Sequence, residues 1–391
     1  MPPLRASARA AGSAAALAAV STSAAAHSGT THAGTPHWLL FLLAAVGVLG
    51  AVAVFAAYRR DRIAGSVAAP LGLAGALLGG FGLVGLVELQ VVADTGPQIR
   101  DVYPALSLGV GAAMAVGSLV VGRLRWPERP RYAGLGILLA FWVVYPVVMP
   151  NGGTYHPAGF VLVATVVFAV AYVVKRDAWG IASSLRRDRR PLAAGGAAGV
   201  LFAVFFAFSA GTLTLNPDSG VGAPTEPTVV FLPVADPLVA WPAVEFVFPS
   251  VPMAGFVSVG TLVLMGLLGS LVALNVGVVV GAGLERESED GDALAGHVGV
   301  LVQQARAERT ENGTTSALGM VATTGATACC CCAPAFYGVL SVLFGAAATP
   351  AYWAFLDPTS PVGGVFFAAS VLLLLGSVVR STGGSGARPV A

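Results

Sequence analysis

Nine stretches of this chain are apolar for long enough to cross a bilayer, and no water-soluble fold buries that many. They run over 38–57, 65–88, 103–122, 132–149, 158–174, 192–213, 254–283, 316–347 and 362–379. A helix of about 20 apolar residues crosses about 30 Å of hydrocarbon. Charge agrees with this reading: only 10% of the residues are Asp, Glu, Lys or Arg, where soluble domains carry about 25%. Lipid is therefore the expected solvent, and the expected fold class is all-α, a polytopic transmembrane helix bundle. The seventh and eighth stretches exceed the needed length and predict tilt or a break. Pro334 marks the kink in the eighth.

The basic residues set an orientation. Arg59, Arg60 and Arg62 follow the first span, and Arg123, Arg125, Arg129 and Arg131 separate the third from the fourth. Lys175, Arg176, Arg186, Arg187, Arg189 and Arg190 separate the fifth from the sixth. Arg286, Arg306 and Arg309 precede the eighth, and Arg380 and Arg388 follow the ninth. With nine spans all of these fall on one side, and in the chain cleaved after Ala26 only Arg100 falls on the other. The positive-inside rule then predicts an outer N-terminus and a cytoplasmic C-terminus in the cell membrane. Residues 1–26 read as a signal segment: Arg5 and Arg9, an Ala-rich run from Ala10 to Val20, and small residues at Ala24–Ala26.

Two connections are long. The outer one, 214–253, holds eight prolines around an apolar stretch from Val229 to Phe248. It predicts a cap on the membrane face or a loop dipping between helices. The inner one, 284–315, begins acidic and then places Leu294, Val298, Leu301, Val302 and Ala305 at helical spacing, predicting an amphipathic surface helix. No internal repeat stands out. Gly75 with Gly79, Gly195 with Gly199 and Gly277 with Gly281 are four apart, a spacing that lets helices approach closely. Such faces serve packing within the chain, or a homo- or hetero-oligomer.

The chemistry is concentrated at Cys329, Cys330, Cys331 and Cys332, which hold every thiol of the chain. Neighbours on a helix differ by about 100° in direction. Cys329 and Cys332, three apart, share a face, and Pro334 loosens the backbone beside them. Vicinal thiolates suit a soft ion taking two near-linear ligands, Hg(II) or Cu(I); Zn(II) prefers a tetrahedron. The structural alternative is that Cys packs as a small apolar residue.

Cys330-Cys331-Cys332-Ala333-Pro334, the apolar run Ala335–Ala348, a turn over 349–361 and the last span together resemble the small Mer-type mercuric ion transporters. The likeness covers about 318–380 and a Cys-Cys-x-x-Pro motif. It implies a two-helix hairpin in which Cys330 and Cys331 take up Hg(II) within the membrane. Cys329 and Cys332 depart from the family's pattern and leave the pairing open, and the first seven spans have no counterpart there.

Other ligands stand outside the spans. His27, His32 and His37 form a short outer tail over 27–37, and His27 would add an α-amino group after cleavage at Ala26. Imidazoles with an amine bind copper well; a flexible polar tail is the plain alternative. His156 is predicted on the same side, at the interface. Glu88 ends the second span, and intramembrane acids mark ion or proton paths by default. Asn275 is expected to bond a neighbouring helix. Nucleotide-binding, metalloprotease and Ser/His/Asp patterns are missing from the sequence, as is a basic footprint for nucleic acid, so a non-enzymatic role is expected. Soft-metal transport is the leading expectation, a membrane subunit or scaffold the second, and a thiol redox enzyme the third.

Overall fold

The computed structural model describes residues 31–32, 35–60, 62–63, 65–88, 100–209, 212–215, 226–249, 253–293, 354, 357 and 359–383. Two short strands, β1 (Thr31–His32) and β2 (Thr35–Pro36), pair ahead of the first helix. The helices are α1 (His37–Arg59), α2 (Gly65–Glu88), α3 (Tyr103–Arg125), α4 (Pro130–Val148), α5 (Ala158–Asp177), the short α6 (Trp179–Leu185), α7 (Arg189–Ser209), α8 (Val259–Ala293) and α9 (Pro361–Gly383). Between α7 and α8 lie β3 (Leu213–Leu215), β4 (Thr228–Ala235), β5 (Ala240–Phe248) and β6 (Met253–Ser258).

Seven of these helices are long and apolar enough to cross a membrane. In α2 the apolar part after Pro70 is shorter, Pro70–Leu83. Together they form a bundle of the kind membrane proteins build, with apolar side chains on its outside as well as its inside. Phe168, Val161 and Val200 stand 72%, 66% and 64% exposed along the lengths of α5 and α7. In water such a surface would be an aggregation liability; in lipid it is the expected finish. The predicted eighth span, 316–347, and the predicted amphipathic inner helix lie outside the described residues.

Close helix contacts come from small residues. Gly47 of α1 rests on Gly75 and Gly79 of α2, and a Cβ at Gly82 would stand 2.6 Å from the Leu40 carbonyl oxygen and 2.8 Å from the Ala44 Cα. In the adjoining pair Gly199 of α7 faces the Gly269 carbonyl of α8, and Gly195 faces Ala273. The glycine pairs on α2 and α7 are thus engaged inside the chain, so an oligomer would have to use other faces. The interior is apolar: Leu139, Val166, Phe202, Leu268 and Leu374 are fully buried, and Trp142 stacks on Phe367 at 4.4 Å. Asn275 crosses this core, its side-chain amide donating to the Leu271 carbonyl at 2.8 Å and to the Leu374 carbonyl of α9 at 3.0 Å. It does bond a neighbouring helix, as its place in an apolar span predicts.

The expectation of an all-α chain needs a correction at the outer connection. Residues 213–258 carry a four-stranded antiparallel sheet in the order β3-β6-β5-β4. The predicted sixth span therefore stops at Ser209, and the predicted start of the seventh, 254–258, belongs to β6. The physical reason is composition: Val, Phe and Trp favour a pleated ladder, and prolines that forbid a helix are tolerated at an edge. Pro233 lies on the edge strand β4, opposite Pro242 of β5.

The packing sorts the helix ends. The sheet, the starts of α3, α5, α8 and α9 and the ends of α2, α4 and α7 share one end of the bundle. Every described Lys and Arg except Arg100 lies at or beyond the other end. At this basic end, among the described residues, five guanidinium groups lie over aromatic rings at 5.3 to 5.9 Å: Arg59 on Phe55, Arg125 on Trp126, Arg131 on Tyr132, Arg176 on Tyr172 and Arg186 on Trp179. Arg131 also grips Asp177 with both arms of its fork, Nε donating at 2.7 Å, and ties the start of α4 to the end of α5.

Candidate functional site

The β4–β5 hairpin does not end in solvent. Its tip turns into the sheet end of the bundle and brings a carboxyl group with it. Leu238 sits at φ 60°, a left-handed conformation that a side chain of its size rarely adopts. The turn is held by Asp236 N–H donating to the Val239 carbonyl at 3.1 Å and by the Trp241 indole donating to the Pro237 carbonyl at 3.1 Å. Val239, at the tip, is fully buried beside Gly159, which the Tyr145 hydroxyl also approaches. The Ala240 N–H donates to the Thr154 carbonyl at 2.8 Å, and Trp241 meets Phe160 edge-on at 4.6 Å. Strain of this kind persists only where the surroundings enforce it, and here α4, α5 and α8 all grip the turn.

Asp236 reaches the start of α8. Ser258 precedes that helix, and its Oγ accepts from the Thr261 N–H at 2.9 Å, an N-cap bond. The Thr261 hydroxyl donates to the Asp236 carboxylate and lies 2.8 Å from Ser258 Oγ. With Thr261 donating onward, the Ser258 hydroxyl donates to Thr261, so a chain of hydroxyls points at one carboxylate. Burial pushes the Asp236 carboxyl above the ordinary aspartate range, and the Thr261 hydrogen bond only partly opposes it. Among the described residues no cation contributes to that balance. A carboxyl with this setting binds and releases a proton nearer neutrality than a free aspartate does.

Beneath the tip is a small cavity lined by Trp142, Val163, Val166, Pro237, Val263 and Phe367. Its lining is apolar, so it offers no ligand to a cation. A second polar cluster stands beside the start of α9. Arg100 Nε lies 3.3 Å from Asp357, Thr359 donates twice to the same carboxylate, and Ser107 of α3 donates to the Thr359 carbonyl at 2.6 Å. The buried Tyr103 hydroxyl next to it has no hydrogen-bond partner among the described residues.

The ligands predicted from the sequence are only partly within view. Cys329, Cys330, Cys331, Cys332, Pro334 and His27 lie outside the described residues. His32 is in β1, opposite Thr35, and His37 is the first residue of α1. Glu88 is the last residue of α2. His156 has a structural place in the turn before α5. Its Nδ1 accepts from the Ala158 N–H at 3.2 Å, and its carbonyl accepts from the buried Tyr145 hydroxyl at 3.0 Å. Among the described residues no three His, Cys, Asp or Glu side chains converge as a metal-binding set. Asp236 was not among the predicted site residues. A signal was present in the sequence, an acid between two β-rich apolar runs, but its burial follows only from the inward turn of the tip. Neither a protein-family model, nor a curated protein, nor a solved structure matches this chain.

Proposed function

We propose that this chain is a nine-span protein of the cell membrane that carries soft heavy-metal ions, Hg(II) or Cu(I), inward through Cys329–Cys332. The observation that carries this reading is the run of four consecutive cysteines ahead of Pro334 in an apolar segment. Its likeness to the mercuric ion transporters supports it. Each thiol that binds gives up its proton, and adjacent thiolates let an ion pass from one pair to the next without leaving sulfur. His27, His32 and His37 would collect the ion outside. His156 and Glu88 would stand on the same side.

The reading predicts that changing all four cysteines to Ala abolishes stoichiometric Hg(II) binding by the purified protein and Hg(II) uptake by expressing cells. Unchanged binding and uptake would sink it. A second reading, a non-enzymatic membrane subunit with packing cysteines, is favoured by one observation. The described interior is packed shut with apolar side chains, and the cavity under the hairpin tip has no polar lining. That reading expects the wild-type protein to bind no soft metal stoichiometrically.

A further inference from the structure

The sheet has two unlike faces. Opposed residues of a ladder lie on the same face, and neighbours along a strand alternate. Leu232, Ala243 and Ser258 are opposed across β4, β5 and β6, and Ala243 and Ser258 are buried. At that row the face looks onto the bundle; farther along, Val230 and Glu245 of the same face are exposed, and the face carries the polar members Thr228, Glu245 and Ser258.

Among the described residues the other face has no partner and is entirely apolar. Phe231, Val244 and Val257 form one opposed row across it, and Val229, Phe246 and Gly255 the next. Phe231 is 80% exposed and Val229 52%. Every described residue that the register puts on this face is apolar or Gly, from Leu213 and Leu215 on β3 to Pro242 on β5. A soluble cap would not leave such a surface to water.

We infer that this sheet face rests in the outer interfacial layer of the bilayer and is covered by lipid. The occupant is fixed by continuity. Val257 of β6 leads directly into exposed Val259 and Leu262 on α8, a helix apolar and long enough to cross the membrane. The lipid-facing surface of that helix thus runs without a polar break onto the sheet. Backbone chemistry limits the depth. Among the described residues β3 and β4 have no further partner strand on their outer sides, and hydrocarbon does not tolerate an open sheet edge. The apolar face can therefore lie against the acyl boundary while the edges stay at headgroup level, as interfacial elements do. The hairpin tip, buried in the bundle, anchors one end of this paddle.

The test places benzoylphenylalanine at Phe231 in the otherwise unchanged full-length chain, in phospholipid vesicles, and reads the photo-adduct by mass. The same probe at Glu245, exposed on the opposite face, is the control. A lipid adduct at 231, and none at 245, is expected. An adduct to protein at 231, from a second copy or a partner, overturns the proposal. So does a probe at 231 that gives no adduct because it stands in water. Because Phe231 is exposed and the substitution stays aromatic, loss of fold is not expected. As an independent check, a fluorophore on Phe231→Cys in a chain with Cys329–Cys332 all changed to Ser is expected to be quenched by nitroxide lipids and protected from aqueous iodide. The reverse pattern overturns the proposal while leaving the metal reading untouched.

Discussion

At the scale of single residues, Asp236 and Thr261 carry the sharpest expectations. A carboxyl whose value is raised on folding stabilises the native state fully below the unfolded value of about 4. That stability is lost as pH rises through the folded value. The wild-type protein in detergent is therefore expected to unfold more easily as pH climbs from acid towards neutral. Asp236→Asn keeps an acceptor for the Thr261 hydroxyl and removes the charge, so its unfolding midpoint should change much less over the same window. Parallel pH profiles for the two proteins would count against a buried, titrating Asp236. Thr261→Val keeps the shape but deprives the carboxylate of its donor. It should cost about 1–3 kcal/mol, the usual penalty for stranding a buried polar group, and the loss should shrink at low pH.

At the scale of elements, the spans were readable in advance because apolar length is a local property of the sequence. The described helices follow eight of the nine predicted stretches, with differences mainly at the ends. Packing was readable too, since Gly75 and Gly79 do lie against a neighbouring helix. Substituting Gly82 by Val tests how tight that contact is. Its side chain would meet the Leu40 carbonyl and Ala44, so α1 and α2 must separate, and a loss of about 1–3 kcal/mol is expected from overpacking. Gly50→Ala, where a Cβ meets nothing within 4 Å, should instead be neutral or gain up to about 1 kcal/mol in helix propensity. Thermal melts in detergent compare the two; equal effects would mean that α1 and α2 are not held together by this seam. The sheet is less legible, although two β-rich runs, Thr228–Ala235 and Ala240–Phe248, flank Asp-Pro-Leu-Val as a hairpin would. Proline content argued against a helix there but could not reveal which strands pair. Nor could it reveal that the turn faces inward, since that depends on Gly159 and Tyr145, which lie far away in sequence.

At the scale of the whole molecule, the separation of charge between the bundle's two ends bears on orientation. Arg and Lys cost about 2.5–3.5 kcal/mol each at the centre of a span on the insertion scale. A bundle whose basic residues cluster at one end gains most by keeping that end where insertion began. The five Arg–aromatic pairs fit an interfacial belt, where rings and guanidinium groups both find water and apolar surface. Arg131 is the exception that explains itself. It reaches back along α4 to the nearly buried Asp177, and the pair is neutral as a unit. The sheet end carries acids instead, Asp101, Glu226, Asp236, Glu245 and Asp357, with Arg100 paired to the last of these. This predicts that an epitope inserted at Glu226, beside β4, is reached by antibody on intact cells, while a fluorescent protein fused after Ala391 matures in the cytoplasm. Exchanging Arg186, Arg187, Arg189 and Arg190 for Gln should then produce a fraction of chains with mixed orientation around α7, because the K/R bias of that connection is what retains it. An epitope hidden on intact cells and exposed only after permeabilisation would invert the assignment.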